Sequence, residues 1–73
     1  MKTHERNQKA AGEFVLALRG NVDDWYADRT DYDEFTRRQG RTWDAIKAAG
    51  PRVEDIVLRR LRNRDDVQRA GVA

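Results

Sequence analysis

Apolar residues recur along this chain at helical rather than alternating spacing, and three segments carry the pattern. The clearest runs from Asp31 to Gly50. Placed about 100° apart per residue, its Tyr32, Phe35, Thr42, Trp43 and Ile46 fall on one side. Asp31 is placed to cap the free N–H groups of the first turn, and Glu34, three residues on, to reach back in a capping box. Gly50 and Pro51 then offer a left-handed cap and a block, so a helix over 31–49 is expected.

A second pattern precedes it. From about Gln8, the residues Ala11, Phe14, Leu18, Val22 and Trp25 share one side, with Val15 and Tyr26 at its flank. The phase continues through Gly20, which favours one helix over 8–28. Gly20 and Asn21 could also close one helix and cap a second, shorter one over 21–28. Gly12 and Gly20 project away from the stripe, consistent with a bend or with the close approach of another chain. Trp25, at the centre of the stripe, is expected in the core, and Trp43, at the edge of its own, at a core margin or an interface.

The third pattern begins at Pro51, which suits a first helical position, with Glu54 and Asp55 in the opening turn. Val53, Val57 and Leu61 share one side while Ile56 and Leu58 lie on opposite flanks, and the pattern fades between Asn63 and Asp66, so a helix over 51–63 is expected. Residues 1–7 and 67–73 lack periodicity and are expected as disordered tails around one helical domain over 8–66. The fold class is all-α: a small three-helix bundle, or a helical hairpin plus a third helix, with self-association as a means of completing an exposed stripe. The expected core is Phe14, Leu18, Val22, Trp25, Phe35, Trp43, Ile46, Val53, Val57 and Leu61.

Composition limits how large that core can be. In 73 residues, hydrophobic and charged side chains are each 38%, and mean hydropathy is −1.00. A chain this short buries roughly 60% of its unfolded surface, so its core is marginal and must lean on its aromatics. A large enclosed cavity is not expected. No apolar run approaches the ~18 residues of a membrane span, and the N-terminus lacks the apolar region of a secretion signal, so a cytoplasmic protein without membrane contact is expected.

Charge is uneven although the net value is only +2. Over 23–34, Asp23, Asp24, Asp28, Asp31, Asp33 and Glu34 outweigh Arg29 for a local sum of −5. Over 35–64 the sum is +6. Such a bipolar chain favours head-to-tail association or a charged partner, within the roughly 10 Å that salt allows.

The inventory for catalysis is poor. Cysteine is absent and so is serine, and the only histidine, His4, lies in the expected tail, so a nucleophile with its base cannot be assembled. Asp31 and Asp33 resemble the start of a calcium loop, but Phe35 occupies the next alternate position and the turn glycine is missing. Gly12, Gly20 and Gly40 fit no nucleotide fingerprint. No enzyme activity, metal or cofactor is expected.

The basic segment from Arg59 to Arg64 suits phosphate contacts, because guanidinium forks bind phosphate oxygens in pairs. Helical spacing pairs Asp55 with Arg59, Asp33 with Arg37 and Glu34 with Arg38, which accounts for part of this charge as solvated faces. Arg60, between Val53 and Val57 on the wheel, can lay its stem over apolar surface. The leading expectation is a non-enzymatic protein–protein interaction module or accessory protein that self-associates, with Trp43, Tyr26 and Tyr32 as candidate interface residues. The alternative is a small DNA- or RNA-binding protein using Arg37, Arg41, Arg59 and Arg62 on phosphates.

Overall fold

The computed structural model describes the backbone of residues 2–72 and the side chains of residues 2–63. It contains three helices: α1 (Lys2–Tyr26), α2 (Tyr32–Ala49) and α3 (Pro51–Val72). No strand occurs among the described residues. α3 continues as helix beyond the expected Asn63 to Val72, so residues 67–72, expected as part of a tail, are helical in backbone; the side chain of Arg64 in the basic segment lies outside the described residues.

The helix ends follow from local chemistry. α1 stops in a Schellman motif: Asp28 N–H donates to the Trp25 carbonyl at 3.1 Å and Arg29 N–H to the Asp24 carbonyl at 2.8 Å, with Asp28 in the left-handed region at φ 59°. The helix therefore ends two residues before the expected Asp28. At the start of α2 the Asp31 carboxylate accepts from Glu34 N–H at 2.8 Å. Only this half of the expected capping box forms. The Glu34 carboxylate turns forward instead, to Arg38 Nε at 2.9 Å and Arg37 Nη1 at 3.4 Å, so Arg37 pairs with Glu34 rather than with Asp33.

Gly50 alone joins α2 to α3. Its φ of 112° and ψ of 164° lie outside the left-handed helical region expected of it, in an extended region that glycine enters and side-chain-bearing residues avoid. The cause is Pro51, whose ring pushes the preceding residue to extended ψ.

α1 is one helix through Gly20 and Asn21, and it begins at Lys2, so the polar segment expected as a tail forms its first turns. These residues need no apolar stripe to remain helical once the helix is nucleated downstream. Gln8, near their end, accepts a hydrogen bond from Arg60 of α3.

All three helices touch one another, α2 and α3 least. α2 runs antiparallel to α1, since Asn21 meets Phe35 and Gln39 while Leu18 shares a groove with Trp43. α3 returns parallel to α1: Arg60 lies against Gln8 and Gly12, and Asn63 faces Leu16 and Arg19. The resulting body is flat, 41 × 34 × 14 Å. Its radius of gyration of 13.6 Å exceeds the roughly 11 Å of a compact chain of this length.

Flatness explains the composition of the core. The buried cluster is Ala11, Val15 and Leu18 of α1, Ile46 of α2, and Val53 and Val57 of α3; Ile46 and Val57 are its largest fully buried side chains. No aromatic ring is fully buried among the described residues. Phe14, Trp43 and Leu61 pack on the cluster's margin. Trp25 and Phe35 lie outside it and Val22 is half-buried, which corrects their expected places in the core. The buried face of α1 is rotated toward Val15 because that helix is gripped from two sides.

Candidate functional site

The acidic turn between α1 and α2 brings four aromatic rings together at one end of the hairpin. Trp25, the next-to-last residue of α1, stacks on Phe35 of α2 with centroids 4.6 Å apart and planes at 17°. Tyr26 lies 5.4 Å from Trp25 at a tilt of 38°. Tyr32, the first residue of α2, meets Trp25 edge-on at 5.9 Å and Phe35 at 6.3 Å. Trp25 and Phe35 are half-buried, but Tyr26 is 77% exposed and Tyr32 58% exposed. Edge-on and offset ring pairs are favourable beyond the area they bury, so Trp25 and Phe35 form a firm base under two solvent-facing phenols.

The seam behind the rings is polar. Asn21, 7% exposed, donates through Nδ2 to the Phe35 carbonyl at 3.0 Å and to Gln39 Oε1 at 2.9 Å. These bonds set the register that places Trp25 over Phe35. Beside Gly20, Asn21 reads as a possible cap, yet it falls on the apolar side of α1 on the helical wheel. A polar residue in core phase was the signal. Asp24 adds a looser tie outside the seam, 2.8 Å from Arg29 and 3.6 Å from Arg38 of α2. Both arginines are well exposed and Asp24 partly so, so each pair is worth little.

Trp43 occupies a different place from the tyrosines. It lines an open groove of 320 Å³ where α2 and α3 splay apart over α1, with Leu18, Val22, Gln39 and Leu61 among its other walls. On the wheel of α2, Tyr32, Gln39 and Trp43 lie within about 40° of one another, and on α1 Leu18, Val22 and Tyr26 advance along one stripe. The groove and the exposed tyrosines are thus parts of one continuous face of the α1–α2 hairpin.

The candidate phosphate contacts are split. Arg37 and Arg41 stand one turn apart on α2, Arg59 and Arg62 on α3, and all four are exposed. Arg37 is held by Glu34, and Arg59 by Asp55 at 3.1 Å. Among the described residues no ion pair, hydrogen bond or groove joins the α2 pair to the α3 pair. His4 is exposed in the first turns of α1. Among the described residues no group of His, Cys, Asp and Glu is arranged to hold a metal ion, and no helix is long and apolar enough to cross a membrane.

No protein-family model matches the chain, and no curated protein or solved structure matches it either.

Proposed function

We propose that this protein is a small non-enzymatic interaction module that associates with a second copy of itself through the ring-bearing face of the α1–α2 hairpin. The observation that carries this reading is the exposure of Tyr26 and Tyr32 on the half-buried pair Trp25 and Phe35. Tyrosine and tryptophan are enriched in contact surfaces because each offers a large rigid area with a polar edge at low entropic cost. The flat body supports it further. Its accessible surface of 5807 Å² exceeds the roughly 4,700 Å² typical of a folded 8.5 kDa chain. Three thin helices leave Leu16, Tyr26, Tyr32 and Leu58 exposed, surface that a second copy would cover.

A phosphate-binding role for Arg37, Arg41, Arg59 and Arg62 draws less support, because two of the four already face carboxylates. Strong salt-dependent nucleic-acid binding rests on about 6–10 phosphate contacts.

The test is the concentration dependence of thermal unfolding for the parent and for Tyr26→Ser with Tyr32→Ser. Association adds stability by mass action, so dilution should lower the parent's midpoint. The double variant should show one midpoint at all concentrations. A parent midpoint that does not move with concentration would remove the reading.

A further inference from the structure

Resting on that reading, we infer that the tyrosine face docks on the outer face of α3 of the second copy, around Leu58, Arg59 and Arg62, and not on a second tyrosine face. The argument begins with charge. Asp23 lies one turn before Tyr26 on the groove wall, Asp28 lies two residues beyond Tyr26, and Asp33 follows Tyr32. None of these three carboxylates has an ion-pair partner among the described residues, whereas Asp24 and Glu34 are bridged to arginines. A contact pairing two tyrosine faces would set these acids against their own copies, and like charges brought together at an interface strongly disfavour it.

The outer face of α3 has the opposite character. Val57 is fully buried, so the residues about 100–200° away from it on the wheel point outward: Leu58, Arg62, Asp55 and Arg59. Leu58 is 44% exposed, a large apolar side chain only partly covered by its own chain. Arg59 and Arg62 flank it, and Asp55 offsets only part of their charge through its pair with Arg59. Arg62 has no carboxylate partner among the described residues. A leucine flanked by two guanidinium groups complements phenol rings with three carboxylates close to them along the chain, and the guanidinium planes can also stack on Tyr26 and Tyr32. The two surfaces belong to different elements of one chain. One copy therefore offers both halves of the contact, and two copies can exchange them.

The test uses two charge-reversed forms of the full chain, Asp23→Lys with Asp28→Lys and Arg59→Glu with Arg62→Glu. All four positions are exposed, and the two new lysines lie at the negative end of α1, so both forms should keep the helix content of the parent, checked by circular dichroism, while their thermal midpoints should match that of the parent only at dilutions where the parent no longer associates. Light scattering then measures association of each form alone and of an equimolar mixture. Each form alone should associate at least about tenfold more weakly than the parent, since each now carries two faces of the same sign. The mixture should recover affinity to within about threefold of the parent, because the lysine face meets the glutamate face and the two native faces meet each other. The inference is overturned if the Arg59→Glu, Arg62→Glu form associates like the parent, which would point to a contact between tyrosine faces. It is also overturned if the mixture stays as weak as its components. A monomeric parent would instead remove the reading on which the inference rests.

Discussion

Two residues hold the backbone where most side chains would strain it, and they make opposite predictions. Gly50 turns the chain between α2 and α3 at φ 112°, with open space around the position a Cβ would take. The obstacle to a side chain there is conformational, not steric. Gly50→Ala should cost about 1–3 kcal/mol, read as a lower denaturant midpoint at unchanged slope. Asp28 sits at φ 59° in the position where glycine most often ends a helix. Asp28→Gly should therefore leave stability unchanged or raise it, by up to about 1 kcal/mol, in the same assay. Neither conformation could be read from composition. The turn is legible from its acids and the corner from its Gly-Pro pair, but the positive φ of Asp28 depends on the pair of hydrogen bonds that closes α1 and that of Gly50 on the single-residue link to Pro51.

The helices were legible in the sequence and their faces less so. Asp31, Gly50 and Pro51 mark ends that the structure reproduces, and the unbroken phase through Gly20 is one helix. The core was misjudged at Trp25 and Phe35 because helical periodicity gives the direction of a side chain and not the thickness of what it faces. In a body this flat the fully enclosed positions lie between Ala11 and Leu18, around Ile46 and around Val57, and the large rings are left at the margins. Ile46→Ala should accordingly cost about 2–5 kcal/mol, a large share of the roughly 4–11 kcal/mol expected of a chain this size. Its thermal midpoint should fall well below the parent's. The α1–α2 seam makes a second prediction. Asn21→Ala should cost about 1–2 kcal/mol, and a double-mutant cycle with Gln39→Ala should return a coupling of about 0.5–1.5 kcal/mol. A coupling near zero would mean that the Asn21 to Gln39 bond sets no register.

At the scale of the whole molecule, Tyr26 and Tyr32 stand exposed, as large rings near an acidic turn are expected to in so small a chain. Their joining to the Trp43 groove was not legible, since it depends on how far α2 and α3 diverge from their single-residue corner. In the sequence Leu58 is a helix flank and its arginines a basic run, and the burial of Val57 shows that they share one outward face. The central claim is that this flat, bipolar body meets a second copy through its ring-bearing face. Sedimentation equilibrium of the parent chain from low to high micromolar concentration tests it most directly. The account predicts an average mass that rises above 8.5 kDa with concentration and falls back as salt is added. A mass fixed at 8.5 kDa across that range would contradict it.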